Sequence, residues 1–398
     1  MKPEPATDKT IFILGAGIYQ APLIRQARIM GLRVLVASRP GPYPGFALAD
    51  RAFHVDTTDA AAVLGVARAE KIDGICTSGT DVALAALGGV VDALGVPGPS
   101  AAATAIATNK LLMRRAGRQA GVRMPEFRAA RTAAEALTAA RELGTPVMVK
   151  AVDSSGSRGV VKVRGTGEID SAVAKVRAVT RREEFLVEQF IEGADCGAEA
   201  FVLNGRVVYL LPTGCTVFEG EAHVPIGHHL PHSEGLARLA EVRDQVERCV
   251  RASRLDHCAM NFDFIVNEAG VHVIEFGARA GATCLPELAG IYGGFNYYEQ
   301  ILRAALGGTP EFPAGTGTPC AAVLLRADRD GVIREQRNEN GPDPEIVDVS
   351  FDYRPGDRVR RFRVGPDRIG HIIAKGARPG DALAALDRAL RGLRIVIE

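Results

Sequence analysis

Two carboxylates set inside hydrophobic strands govern how residues 261–281, NFDFIVNEAGVHVIEFGARAG, can fold. Apolar residues alternate on either side of a turn at Gly270, which predicts an antiparallel hairpin. Asp263 and Glu275 lie within those runs, and a carboxylate there is costly to bury unless a cation compensates it. A register that sets Asp263 opposite Glu275 sends both side chains off one face about 5 Å apart at Cβ, a spacing that suits oxygen coordination of a hard cation. The same register pairs Asn261 with Gly277. Arg279, just past the second strand, then faces a phosphoryl or acyl-phosphate oxygen.

The rest of the chain supplies the context. Its 398 residues exceed one ordinary core, so two or three packed domains are expected. Forty-eight Lys+Arg against 47 Asp+Glu give a formal charge of +1, which removes the usual electrostatic reason for a nucleic-acid partner. The N-terminal MKPEPATDKT lacks an apolar core of signal-peptide length, and no window is apolar enough to span a bilayer, so no membrane partner and a cytoplasmic location are expected. Seven scattered cysteines never form a CxxC pair and read as free, buried thiols.

TIFILGAGIYQAPLIRQARIMGLRVLVAS reads as strand, glycine turn, helix and strand, and IDGICTS begins another such unit. A short parallel sheet over residues 1–100 follows. The turn GAGIYQ is half of a dinucleotide fingerprint, yet Gln20 stands where a third glycine would allow close helix packing, and VLVASRP ends without an acidic residue for a ribose. A tight turn that meets a substrate carboxylate at the helix N-terminus is the better reading. Residues 101–305 switch to long strands mixed with helices, an α+β pattern. Residues 306–398 give strands, one amphipathic helix after Pro379 and a closing strand, a small α+β lobe.

Three further segments carry chemistry. In PVMVKAVDSSGSRGVVKV, Lys150 ends an apolar strand before a glycine- and hydroxyl-rich turn that can fold over a triphosphate; the Walker order is absent. FLVEQFIEGAD places Glu188 at a strand end and Asp195 in the turn beyond it, an order that offers edge contacts to a purine and an acceptor to a ribose, although solvated carboxylates would look the same. GHHLPH specifies no zinc geometry; His228 or His229 on a loop facing the substrate is the preferred reading.

Lys110 in NKLLMRRAGRQAGVRMP, Lys150 with DSSGSRGV, VEQFIEGAD, and FDFIV followed by IEFGAR occur in the order and spacing of the ATP-grasp superfamily. Residues 10–305 resemble its carboxylate-amine ligase and carbamoyl-phosphate-synthase-like branch, and the final segment resembles its C-terminal lobe. The resemblance implies an ATP-grasp fold with a Rossmann-like N-terminal domain, and ATP with Mg2+, or Mn2+ in its place, as cofactors. It implies that Lys110 and Lys150 contact the phosphates and that Ser155, Gly156 and Gly159 form a closing flap. Glu188 and the backbone of Gln189 and Ile191 would hold adenine, and Asp195 the ribose, where the family usually has Glu. Asp263 and Glu275 match metal ligands, and Arg279 the activating arginine. Gly277 departs from the family's ExNxR, where an asparagine helps to hold a second magnesium; the amide of Asn261 is expected to project into the space it vacates. The implied activity is amide formation between a small-molecule carboxylate and an amine through an acyl phosphate, as in L-amino acid ligases. Bicarbonate carboxylation and a nucleotide-binding regulatory module without turnover are the alternatives, and a homodimer is the commonest assembly for such enzymes.

Overall fold

The computed structural model describes residues 8–219, 223–315 and 317–398; the first seven residues of the N-terminal segment read above lie outside them. Thr10–Leu14 is buried at every position and forms the middle of a parallel sheet, with Arg33–Ser38 and then Arg51–His54 on one side and Gly74–Cys76 on the other. A strand covered on both faces has no polar side to present, which is why TIFIL and VLVA read as unbroken apolar runs. Gln20 explains the incomplete fingerprint. Its side chain accepts from Gly17 N at 3.0 Å and donates to Ser78 O at 2.5 Å, and a Cβ on Gly15 would meet it at 2.9 Å. The amide thus fills the turn that a dinucleotide pyrophosphate would need.

Asn109 ends helix Ala101–Thr108 and caps helix Lys110–Gln119 by accepting from Leu111 N and Leu112 N, an arrangement that leaves Lys110 at the helix start. A four-stranded antiparallel sheet then runs in the order Phe127–Ala130, Phe185–Gln189, Val147–Ala151, Val160–Val163. Helices Ala133–Leu143 and Ile169–Arg177 pack on it around a core of alanine, valine and Phe185.

An eight-stranded sheet dominates the molecule. Its order is Gly270–Gly277, Cys258–Asn267, Ala194–Leu203, Arg206–Glu219, His223–Leu230, Cys320–Arg326, Arg368–Lys375 and Ile346–Phe351. The segment 306–398 therefore extends this sheet with three strands, and adds a three-stranded sheet of Arg358–Val359, Gly331–Asn338 and Leu393–Ile397. Helices Leu285–Gly293 and Tyr297–Ala305 share a buried cluster with the parallel sheet, fastening the N-terminal domain to the large sheet. In the described residues no helix is long and apolar enough to cross a membrane.

Candidate active site

The register of the central hairpin is the expected one, with Asp263 opposite Glu275 and Asn261 opposite Gly277. On the other side of the same strand Asp263 faces Gly197, Asn261 faces Glu199 and Ile265 faces Asp195. Directly paired residues point to one face, so Asp195, Glu199, Asn261, Asp263 and Glu275 share it. Phe262, Phe264 and Phe276 turn to the other face and lie in the core. This is the physical content of the alternation: one face of the sheet is polar because it is a site, the other apolar because helix Leu239–Ser253 packs there. A bulge between Asp263 and Phe264 shifts the pairing beyond the carboxylates.

Lys110 crosses from its helix to this face. Its ammonium lies 2.5 Å from Glu275 Oε1 and donates to Ser154 O at 2.8 Å, and its backbone N–H donates to Val152 O at 2.9 Å. Lys110 thereby connects the metal-type carboxylates to the loop 152–159. That loop turns through positive φ at Gly156, Ser157 and Gly159 (65°, 59° and 65°). Ser154 Oγ donates to Arg158 O at 2.6 Å, and Asp153 accepts from Thr180 and Arg181 at the base. Ser155 and Gly156 line one cleft together with Asp81, Asn261, Asp263, Glu275, Phe276, Gly277 and Arg279.

Lys150 lies deeper than a flap residue facing a ligand would. Its ammonium is paired with Glu188 Oε1, and Arg114 binds the other oxygen of Glu188 through Nε at 3.1 Å and Nη2 at 3.0 Å. Arg114 also donates to Ile274 O at 2.7 Å. Burial opposes the charge on Glu188, but Arg114 and then Lys150 outweigh it and hold the carboxyl below its usual range. Burial lowers the Lys150 ammonium against the pull of Glu188. The Glu188 carboxylate is thus committed to two cations beneath the site, and not turned to an open slot for a purine edge. Gln189 N–H is taken by Glu126 O at 2.8 Å, and Ile191 follows just past the strand end, half-buried.

At the other end of the cleft Arg279 donates to Asp81 Oδ2 at 2.9 Å and to Asn261 Oδ1 at 3.2 Å. Asn261 donates in turn to Glu199 Oε1 at 2.9 Å, which also accepts from Gly281 N at 3.0 Å. Here the expectation for Asn261 needs correcting: the space beside Gly277 is not filled by its amide. A Cβ on Gly277 would meet Asp81 Oδ1 at 2.9 Å and Arg279 Cζ at 3.2 Å. The Asn261 amide is drawn away by Glu199 and Arg279, both of which offer it a charged or polar partner.

Burial is the largest influence on the Glu199 carboxyl and pushes it up to about 8, against the opposing pull of Arg279. Asp263 opens onto the cleft, where desolvation by the surrounding walls, then the nearby Glu275, pushes it up to about 6. Of the two histidines, His228 stands opposite Cys215. Cys215 lies two residues from Thr213, the partner of Gly197, so His228 shares the polar face, three strands or roughly 14 Å from Asp263. It is buried, which lowers it to about 4, and its Nδ1 lies 3.2 Å from Gly214 O. His229 is opposite Gly214, on the reverse face, with its ring 6.0 Å from that of His232.

Against this geometry the comparisons are informative. Residues 143–287 match the ATP-grasp domain family, and residues 323–398 match the L-amino acid ligase C-terminal domain 2. A formate-dependent phosphoribosylglycinamide formyltransferase of Synechococcus sp. (strain CC9902) is 30% identical over 406 residues, which cover 98% of each protein. The chain is an ATP-grasp ligase. Among solved structures, phosphoribosylglycinamide synthetase from Anaerococcus prevotii superposes on this ligase with a TM-score of 0.85 at 27% identity, covering 98% of this chain and 100% of that one. L-amino acid ligase from Bacillus licheniformis shares the fold, with a TM-score of 0.82 at 20% identity over 98% and 99% of the two chains.

ATP-grasp ligases use ATP and Mg2+, and the residues here fit such a cation. Among the described residues no three His, Cys, Asp or Glu side chains converge into a preformed cluster. A magnesium ion bound with nucleotide phosphates takes only one or two protein carboxylates. Asp263 and Glu275 face each other across the hairpin and could supply two such oxygens; desolvation and repulsion from Glu275 raise Asp263, a cost that a divalent ion would remove. Three residues of the site were not read from sequence. Arg114 lies one helical turn after Lys110 and shares its face, a spacing that signals a neighbour. Glu199 interrupts the apolar run of Ala194–Leu203, a detectable anomaly. Asp81 carries no local signal, because it reaches the cleft from the loop after strand Gly74–Cys76 of the parallel sheet.

Proposed function

We propose that this ligase joins a carboxylate to an amine in an ATP-dependent reaction that proceeds through an acyl phosphate, with an amino-acid-type substrate on at least one side. What carries the reading is the single cleft in which Asp263, Glu275, Asn261 and Arg279 meet Ser155 and Gly156 of the flap. The C-terminal match to the L-amino acid ligase domain supports the amino-acid preference.

In this reading Lys110 and Lys150 neutralise phosphate oxygens of ATP, and the loop 152–159 closes over them with backbone N–H groups. Asp263 and Glu275 would hold a magnesium ion, which would screen the phosphate charge toward the attacking carboxylate. The Lys110–Glu275 contact opens on binding, freeing the ammonium for phosphate and the carboxylate for the cation. Glu188 and Arg114 keep Lys150 aimed, Asp195 accepts from the ribose, and the backbone at Gln189 and Ile191 borders the base. Arg279 faces the acyl oxygen on which negative charge develops as the amine attacks. His228 borders the substrate on the shared face. Closure of the flap keeps water from the activated acyl group.

The test is ADP and phosphate release with magnesium, across pairs of amino acids and, in separate arms, formate with an amine and bicarbonate alone. Release that needs both an amino acid and an amine supports the reading. Release with bicarbonate alone, or with formate and no amino-acid pair, replaces it.

A further inference from the structure

The polar face of the central hairpin presents Asp263 and Glu275, and the next position on that face after Glu275 is Gly277, without a side chain. The volume a side chain there would enter is not open. Asp81 Oδ1 lies 2.9 Å from the Cβ position, Arg279 Cζ 3.2 Å and Arg279 Nη1 3.4 Å, so an ion pair stands in it. The pair is held from three directions. Asp81 Oδ2 accepts from Arg279 Nη2 at 2.9 Å, Asn261 Oδ1 accepts from Nη1 at 3.2 Å, and the loop of Asp81 is fastened to the loop of Arg279 by Gly79 N donating to Ala280 O at 3.1 Å. Two atoms of the pair, Asp81 Oδ1 and Arg279 Nε, are inaccessible and without a hydrogen-bond partner. Both residues line the same cleft as Asp263 and Glu275.

The ion pair fills the volume beside Gly277 in the cleft that Glu275 also lines, and the carboxylate of Asp81 keeps the guanidinium there. We propose that the Asp81–Arg279 ion pair stands in the place of a second metal ion, so that this ligase loads one divalent cation per bound nucleotide. The inference rests on the metal site of the proposed function. Asp81 is a positioning residue: its carboxylate aims Arg279, and a side chain at position 277 would have to displace the pair.

Titration of the full-length protein with Mn2+ in the presence of saturating ADP, read by electron paramagnetic resonance of free Mn2+, counts the ions directly. One tightly held Mn2+ per protein is expected beyond any that ADP binds in a protein-free control. Two ions of similar affinity overturn the proposal. The double variant Asp81→Ala/Gly277→Asn frees the space and fills it with an amide beside Glu275; it should gain a second Mn2+ with an affinity within about tenfold of the first. A double variant that keeps the circular dichroism and melting temperature of the parent but still binds one ion also overturns it. Asp263→Asn separates the two readings. If that change leaves the first Mn2+ in place, the metal site of the proposed function fails; if it removes that Mn2+ while wild type binds two, only the present inference fails.

Discussion

Replacing Arg114 tests how Lys150 is held. In Arg114→Leu the carboxylate of Glu188, 1% exposed, keeps a single cation, and Ile274 O loses a donor now at 2.7 Å. Removing one partner of a buried pair costs about 3–5 kcal/mol, and the orphaned carbonyl adds about 1–3 kcal/mol. The sum, about 4–8 kcal/mol before relaxation, rivals the stability of a typical domain. Arg114→Lys is the milder companion, since it keeps the charge but cannot serve Glu188 and Ile274 together in the same fork geometry. Hydrogen exchange of the Phe185–Gln189 amides reads the loss locally. A cycle with Glu188→Gln should show a coupling of at least about 2 kcal/mol. Glu188 is held below its usual range, so its contribution is present above the unfolded carboxyl pKa and is lost as pH falls through the folded value. Arg114→Lys should therefore begin acid unfolding at higher pH than wild type. Additivity within about 0.5 kcal/mol, or an unchanged acid limb, would refute the argument.

Asp263, raised to about 6, is roughly 10% ionised at pH 5 and roughly 90% at pH 7. Because the cation binds the ionised form, Mn2+ affinity in the absence of nucleotide should fall about tenfold from pH 7 to pH 5, and a flat profile contradicts this. Glu199, raised to about 8, is protonated in the fold at neutral pH, so its folded state binds more protons than the unfolded chain and stability declines as pH rises from the ordinary carboxyl range to about 8. Glu199→Gln should flatten that decline in a melting-temperature series, whereas an unchanged slope counts against a protonated Glu199. Gly159→Ala should raise the KM for ATP more than Gly156→Ala. Both residues have φ of 65°, but only at Gly159 would a Cβ meet Ala151 and Val179, at 3.0 and 3.1 Å; equal KM values would sink this account of the flap.

The polar face of the hairpin was legible in the amino-acid string because strand periodicity is strictly two. Asn261 and Asp263 share a face by alternation alone, but counted from the Asn267–Gly270 pair Asp263 would face Ile274, and it is the bulge beyond Asp263 that sets it opposite Glu275. Buried parallel strands and the departure at Gln20 were likewise local facts. Contacts between elements were not. That Glu188 points down to Arg114 and Lys150, that His228 and not His229 takes the face of Asp263, and that the last segment extends the large sheet all depend on which strands become neighbours. Gly277 shows the division most plainly. The sequence displays a missing side chain, but what occupies its volume is Asp81, nearly two hundred residues earlier in a loop of the N-terminal domain, and only the packing of that domain on the large sheet puts it there.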